Sequence, residues 1–169
     1  IDMCKKAVKY YPNCGTVLQA YMHRSVSDID LLKNPNTNIR LCKGAYKERK
    51  EIAIQDYQDI RENFLKCAEK MIKNEIYSCF ATHDTWIIER LEKLLEKYNY
   101  SKKNCEFQAL SGVPIDNTLD ELVSKGYTVR YYIPYGPDWY LYSLRRIREN
   151  PDIWKDTLKA LFFKSKHRN

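Results

Sequence analysis

A short segment near the end of the chain carries the pattern with the clearest chemical meaning. Tyr142, Arg145, Arg146 and Glu149 fall at positions i, i+3, i+4 and i+7, so a helix would place them on one face. Two guanidinium groups on one face can hold a small carboxylate through paired N–H donors. A solvated basic helix with one ion pair has the same spacing, and the spacing alone leaves both interpretations open.

The segment just before this helix is rich in tyrosine. The run 128–135 has strand character and stops at Pro134 and Gly136. It would therefore deliver aromatic hydroxyl groups, including that of Tyr132, to a strand end beside the arginines. An aromatic-rich core strand is the alternative interpretation.

Other polar side chains also stand at the ends of β-rich runs, namely Gln19, Lys43, His83 and Gln108. In the run 39–46, alternation puts Arg40 and Cys42 on one side of a strand and Leu41 and Lys43 on the other. A strand apolar enough to be central should not bury cations without a reason. These positions therefore point to a ligand.

The tripeptide 82–84 ends one β-rich run and precedes a helical pattern. A helix N-terminus with Thr82 and His83 beside it suits an anion, and Asp84 is predicted to be the N-cap of the helix. A plain N-cap without a ligand fits the same residues.

The elements that position these residues alternate between strand and helix. Strands are predicted in 16–21, 39–46, 76–82, 105–110 and 128–135, and 1–3 is expected to end another strand. Helical periodicity covers 57–71 and 88–98, a capping box at 118–121 predicts a helix ending near Gly126, and Asn150-Pro151 opens a last one. Repeated βα units predict a parallel sheet, either doubly wound or closed as a barrel.

The length fits only part of a closed barrel. An eight-stranded barrel needs about 250 residues, and this chain has 169. If the fold is a barrel, we expect residues 1–169 to form one incomplete catalytic domain, the later part of the barrel. Residues are then expected to be missing before Ile1 or after Met3.

Composition limits the function classes. The net charge of +7 favours anionic partners such as phosphorylated cofactors, carboxylates, acidic membranes or nucleic acid. No RNA- or DNA-binding motif occurs, so no nucleic-acid partner is expected. The six cysteines show neither C-x-x-C nor zinc spacing, which predicts reduced thiols, no metal site and a cytoplasmic protein.

Longer motifs give the chain a family resemblance. TVLQAYMHR, IRLCKGAY, FATHD, CEFQALSGV and VRYYIPYGPDWYLYSLRRIREN occur in this order. Through these motifs the chain resembles proline dehydrogenase, and its single-function branch in particular. The resemblance implies an α/β fold, the (βα)8 TIM-like barrel of the proline dehydrogenase type, and we expect the first strands to be missing from this chain. It also implies FAD as cofactor, oxidation of L-proline to Δ1-pyrroline-5-carboxylate by hydride transfer, and a quinone acceptor.

The resemblance also implies residue roles. Asp2 corresponds to an active-site aspartate, and Arg40 to the arginine beside the reactive edge of the flavin; both are expected to be catalytic. Further contacts to FAD are expected from Gln19, Lys43, Gly44, Ala45, Thr82, His83 and Gln108. The proline site is expected to consist of Tyr132, Tyr142, Arg145, Arg146 and Glu149.

Two alternatives and one open question remain at this level. A flavin-free barrel enzyme acting on a small carboxylated or phosphorylated metabolite would show similar strand ends, and a basic nucleic-acid module would show the same charge. The terminal segment 153–168 combines apolar bulk with Lys164, Lys166 and Arg168. It fits peripheral contact with an anionic membrane, although a helix docked on the core explains it slightly better.

Overall fold

The structure is a computed structural model, and it describes residues 1–11, 14–34, 37–111, 115–133 and 135–138. Five strands are present there: β1 Gly15–Gln19, β2 Asn38–Cys42, β3 Tyr77–Ala81, β4 Cys105–Leu110 and β5 Thr128–Tyr132. Five α-helices accompany them: α1 Asp2–Tyr10, α2 Ser25–Leu31, α3 Tyr57–Lys73, α4 Thr85–Lys97 and α5 Asp116–Ser124. A short 3₁₀ turn, Lys102–Asn104, precedes β4.

The strands form one parallel sheet in the order β1-β2-β3-β4-β5. A doubly wound sheet reverses its strand order at a switch point, whereas a barrel adds each strand beside the previous one. The unbroken order therefore identifies the described part as an arc of a βα barrel. This outcome decides between the two architectures that the sequence left open.

One face of the sheet packs against the helices. The register aligns Leu18, Leu41, Phe80, Phe107 and Val129 across all strands, and the middle three are at most 2% exposed. The rings of Phe80 and Phe107 have centroids 5.7 Å apart. Because successive side chains of a strand alternate, the residues on either side of this apolar row face the barrel interior.

The two longest helices are amphipathic, as their periodicity predicts. Helix α3 buries Phe64, Cys67, Ala68, Met71 and Ile72, and α4 buries Ile87, Ile88, Leu91 and Leu95. Tyr57 is the first apolar position of the periodic run 57–71, yet it is 53% exposed. It lies at the start of the helix, where its hydroxyl donates a hydrogen bond to Asp84.

Two local predictions are wrong. Residues 1–3 do not end a strand, because α1 begins at Asp2. Helix α5 begins at Asp116, so Thr118 lies within its first turn and cannot be the cap of a capping box. Gly126 does follow the helix in a left-handed conformation, with φ +85°, as a C-terminal stop. The helix predicted after Asn150-Pro151 lies outside the described residues.

Candidate active site

Polar side chains collect on the inner face of the sheet toward its carboxyl edge. The parallel register places Gln19, Cys42, Ala81, Gln108 and Arg130 in one row across the strands. The row before it contains Val17, Arg40, Cys79 and Glu106. Since the two rows share one face of the sheet, residues that are far apart in sequence become neighbours.

Four of these side chains form a continuous hydrogen-bonded chain. Arg40 donates from Nε to Oε1 of Gln108 over 2.8 Å. Gln108 donates from Nε2 to Oε1 of Glu106 over 2.5 Å. Arg130 donates from Nε and Nη2 to the two carboxylate oxygens of Glu106, both over 2.8 Å. Two predicted flavin residues, Arg40 and Gln108, are thereby joined to an acidic residue that the sequence did not single out.

Glu106 is the most enclosed charged group described in this region, with 1% of its surface exposed. Its Oε2 also accepts a hydrogen bond from the hydroxyl of Tyr77, at 3.2 Å. Burial alone would raise its pKa, but the hydrogen bonds from Arg130 and Gln108 outweigh burial and hold the pKa below its ordinary value. Glu106 is therefore a buried carboxylate at neutral pH.

A second cluster lies where β2 and β3 end. Asp84 accepts hydrogen bonds from Arg61 at 2.8 and 3.0 Å, from the Tyr57 hydroxyl at 2.8 Å and from Lys43 at 3.1 Å. The guanidinium of Arg61 also lies over the rings of Tyr57 and Trp86, at 4.4 and 5.2 Å from their centroids. The cluster connects the end of β2 to the starts of α3 and α4.

Asp84 stands at the N-cap position of α4, as predicted, but its side chain makes no capping hydrogen bond. Burial would raise its pKa, whereas the bonds from Arg61 and Tyr57 and the charge of Lys43 lower it to about 2. The carboxylate therefore serves the cationic cluster and not the helix terminus. Asp84 is therefore the N-cap of α4 by position, as predicted, while its carboxylate binds Arg61, Tyr57 and Lys43.

His83 has a defined protonation state. Its Nε2 accepts a hydrogen bond from the backbone N–H of Leu110 at 2.8 Å, which requires an unprotonated Nε2 and places the ring proton on Nδ1. Burial and the nearby charge of Lys43 lower its pKa. His83 is accordingly a neutral donor through Nδ1 and adds no positive charge to the site.

Gly44 lets another group approach its backbone closely, and that group is the ring of Tyr21. The residue has φ +121°, and a Cβ built there would lie 2.4 Å from the Tyr21 ring. The backbone on both sides is tied together, because Tyr21 N–H donates to the Lys43 carbonyl over 2.9 Å. A glycine is required here because the ring fills the space that a side chain would need.

The remaining predicted positions are distributed as follows. Gln19 ends β1 and Tyr132 ends β5, the latter with 46% of its surface exposed. Ala45 lies in the irregular segment after β2, and the buried Thr82 accepts a hydrogen bond from the backbone N–H of Asp84. Asp2 is exposed in the first turn of α1. Tyr142, Arg145, Arg146 and Glu149 lie outside the described residues.

Sequence reasoning missed Glu106, Arg130, Tyr57 and Arg61, and it gave Asp84 only a capping role. A signal existed for the first pair: Glu106 interrupts an apolar run, and Arg130 stands at the matching alternate position of the next strand. No comparable signal links Arg61 to Asp84, because their contact depends on how α3 packs beside α4.

The charges of the two clusters fit a dinucleotide such as FAD. Each cluster has two cations and one carboxylate: Arg40 and Arg130 with Glu106, and Lys43 and Arg61 with Asp84. Each therefore carries one net positive charge, the first on the inner face at the middle of the strands and the second where β2 and β3 end. Flavin dinucleotides present an electron-accepting ring and a pyrophosphate, both of which cations stabilise.

A barrel arc with polar, net positive side chains at its carboxyl edge defines a class: βα-barrel proteins that bind ligands at this face. The family model described as "Proline dehydrogenase" matches residues 2–157. The chain belongs to the proline dehydrogenase family, and the resemblance inferred from its motifs is confirmed.

Curated relatives agree. The chain is 40% identical to Proline dehydrogenase 2 of Bacillus subtilis over 151 residues, 89% of this chain and 50% of that protein. It is 40% identical to Proline dehydrogenase of Deinococcus radiodurans over 137 residues, 81% of this chain and 44% of that protein. The chain thus spans about half the length of the curated relatives it matches.

Solved structures confirm the fold. A bifunctional proline utilization A protein superposes with a TM-score of 0.75 at 22% identity, covering 94% of this chain and 18% of that one. The Bdellovibrio bacteriovorus proline utilization A, inactivated by N-propargylglycine, gives a TM-score of 0.74 at 23% identity, over 90% of this chain and 19% of that one. At this identity the likeness supports the architecture, and the family assignment rests on sequence.

Proposed function

We propose that this chain is the part of an FAD-dependent proline dehydrogenase that holds the flavin and oxidises L-proline to Δ1-pyrroline-5-carboxylate. One observation carries the proposal: the polar side chains predicted to contact flavin occupy the inner face and the carboxyl edge of a barrel arc in a member of this family. Ligands of βα barrels bind at this edge.

When bound, FAD would supply the redox chemistry, accepting a hydride from the ring carbon next to the proline nitrogen and passing electrons to a quinone. The chain's own residues contribute position and charge. Arg40 provides a cation on the inner face, and Gln108 fixes its Nε. Lys43, Gly44, Ala45, Thr82, His83 and Gln19 are proposed to hold the rest of the dinucleotide.

His83 is suited to hydrogen bonding and not to charge neutralisation. Its pKa is lowered, and its Nε2 already accepts from the Leu110 backbone. A neutral imidazole can donate only from Nδ1 in this arrangement. Lys43 and Arg40 therefore remain the proposed cationic contacts to the cofactor.

Substrate binding is proposed for Tyr132, Tyr142, Arg145, Arg146 and Glu149, with Asp2 as a catalytic acidic group. The arginine pair would bind the proline carboxylate, and the tyrosines would form the walls of the site. Holding the ring against the flavin would convert a bimolecular encounter into an oriented reaction.

A cytoplasmic location is also part of the proposal, supported by six cysteines that are all unpaired. Among the described residues, no helix has the length and apolarity to cross a bilayer. The basic terminal segment remains the proposed point of peripheral membrane contact. Vesicle sedimentation of the chain with and without residues 164–169 tests this, since unchanged binding would favour a core-docked helix.

The test of the proposed function is spectroscopic. The purified protein that contains this chain should carry oxidised flavin, and anaerobic addition of L-proline should bleach its visible absorbance. Pyrrolidine, which lacks the carboxylate, should bleach it far more slowly. A colourless protein that does not take up added FAD, or a flavin that proline fails to reduce, would overturn the proposal.

A further inference from the structure

Gln108 occupies the midpoint between the proposed flavin cation and a buried acid. Its amide oxygen accepts from Arg40 Nε, and its amide nitrogen donates to Glu106. Both ends of the side chain are therefore engaged. A change at Glu106 can therefore alter the position of Arg40 through the Gln108 amide.

The charges of its neighbours dictate the orientation of this amide. A carboxylate can only accept hydrogen bonds, and a guanidinium can only donate them. With Glu106 ionised, the NH₂ group of Gln108 must face the acid, and its oxygen must face Arg40. A flipped amide would place its NH₂ group against the arginine and its oxygen against the carboxylate, so both hydrogen bonds would be lost.

Glu106 is itself held firmly. Arg130 binds its two oxygens in a bidentate pair, and Tyr77 donates to one of them. The residue is 1% exposed and lies on β4, which has a neighbouring strand on each side. Bidentate arginine–carboxylate pairs combine high strength with a fixed geometry. Glu106 is thus the rigid end of the chain that leads to Arg40.

We propose that Glu106 is a positioning residue that holds Arg40 in place by fixing the amide of Gln108. The inference rests on the proposed function, because its consequence is measured on the flavin. Glu106 itself is not assigned a contact with cofactor or substrate. Glu106 contributes by fixing the direction in which the Arg40 guanidinium points.

The flavin midpoint potential tests this because two explanations predict opposite signs. Glu106→Gln removes a negative charge, and direct electrostatics would then raise the potential. Loss of positioning would loosen the cation of Arg40 and lower the potential, since the neutral amide that replaces the carboxylate no longer selects one orientation of Gln108. We expect a lowering of about 30 mV, a tenfold change in a two-electron equilibrium constant.

A double-mutant cycle shows whether the effect passes through Gln108. Gln108→Met should lower the potential by itself, and Glu106→Gln added to it should lower the potential no further. Additive effects would overturn the relay. Glu92→Gln is the matched control: it removes an acid bound to Lys125 on the helical side of the barrel, and it should leave the potential unchanged.

The outcomes separate the two proposals. A wild-type protein without flavin, or with flavin that proline cannot reduce, contradicts the proposed function. A flavin-loaded Glu106→Gln protein with an unchanged or raised potential contradicts only the positioning role. If that variant does not fold, Glu106→Asp keeps the charge but shortens the reach to Gln108, and a wild-type potential there would equally overturn the inference.

Discussion

Arg40 is the cation at one end of the inner-face hydrogen-bonded chain, and its proposed task depends on charge. Arg40→Met keeps much of the aliphatic length and removes the cation. We expect a lower flavin midpoint potential and slower turnover, because a nearby positive charge favours the reduced cofactor, while affinity for proline changes less. Anaerobic redox titration and steady-state kinetics measure the two effects.

A second arginine provides the control for that experiment. Arg24 forms a bidentate pair with Asp28, its side chain is 62% exposed, and it is not among the residues proposed to contact the flavin. Arg24→Met should leave the flavin potential unchanged. An equal potential in the folded, flavin-loaded Arg40 and Arg24 variants would remove Arg40 from the proposed catalytic residues.

The arginine pair at 145 and 146 is expected to act on substrate and not on flavin. A charge-assisted hydrogen bond is worth about 1.5–3 kcal/mol, so Arg146→Met should raise the KM for proline roughly 10- to 100-fold. Arg145→Met should raise the KM for proline to a similar extent. In both variants the flavin content should decrease less than the affinity for proline.

The comparison of proline with pyrrolidine isolates the carboxylate. The wild type should prefer proline strongly, and each variant should lose most of that preference. If the ratio of kcat/KM for the two substrates stays the same in both variants, the proposed carboxylate clamp does not exist. The segment 142–149 would then be a solvated basic helix.

At the scale of single residues, the sequence predicted which polar residues belong to the site, but it did not predict which side chains they contact. Arg40, Lys43 and Gln108 stand out because polar groups at the ends of apolar strands need a reason. Glu106, Arg61 and the actual role of Asp84 emerge only when register and helix packing are known. Side-chain partners up to 68 positions apart, as for Arg40 and Gln108, are set by the fold and not by local spacing.

Among the elements, Asp84 joins the end of β2 to the first turns of α3 and α4. Its pKa is lowered from 3.8 to about 2 in spite of burial, which corresponds to about 2 kcal/mol of stability. Because the folded pKa is depressed, this contribution is complete above about pH 4 and is lost as the pH falls toward 2. Asp84→Asn should therefore cost about 2 kcal/mol at neutral pH and progressively less in acid.

Urea unfolding at several pH values measures this difference between wild type and variant. Asp56→Asn is the matched control, since Asp56 caps α3 by accepting from the N–H groups of Gln58 and Asp59, and asparagine caps a helix nearly as well. A cost for Asp84→Asn that stays constant from neutral pH to about pH 2.5 would show that the carboxylate charge is not what the cluster uses.

The loop after β2 depends on a glycine. Gly44→Ala introduces a methyl group 2.4 Å from the Tyr21 ring in a backbone with φ +121°. Gly126→Ala shares the positive φ, at +85°, but meets nothing within 4 Å. We expect Gly44→Ala to lose about 2 kcal/mol more than Gly126→Ala in urea unfolding, through overpacking. Equal losses would mean that only backbone conformation matters.

The strands and long helices were predictable because their signals are long and periodic. The predicted run 105–110 coincides with β4, and the other strands stop one to four residues earlier than predicted. Residues 1–3 were mistaken for a strand because Ile1 and Met3 alternate with Asp2, a pattern too short to distinguish strand from helix. The capping box failed because Thr118 and Glu121 fit that motif equally well inside a first turn.

For the whole molecule, the decisive feature is that the two faces of the sheet differ. Apolar rows such as Leu41 and Phe80 face the helices, and the Arg40–Glu106 network faces inward. The family assignment and strand order explain this polarity, since barrel interiors near the carboxyl edge hold ligands. Composition alone, with a charge of +7, left nucleic acid and metabolites equally open as anionic partners.

The reactivity of the six free thiols tests the packing of the sheet and its helices in one experiment. Cys67, Cys79 and Cys105 are buried, and burial raises their pKa values to about 12, 12 and 11. The other three, Cys4, Cys14 and Cys42, are half-buried, and burial also raises the pKa of Cys42. Since the thiolate is the reactive form, a raised pKa and lost access act in the same direction.

Timed alkylation of the native protein at about pH 8, followed by peptide mass spectrometry, should therefore give an ordered result. Cys4 and Cys14 should react first, Cys42 later, and the three buried thiols only at the rate of global opening. In denaturant all six should react at similar rates. If Cys67 or Cys105 reacts as fast as Cys14 in the native protein, the packing of α3 and β4 against the core is not as described.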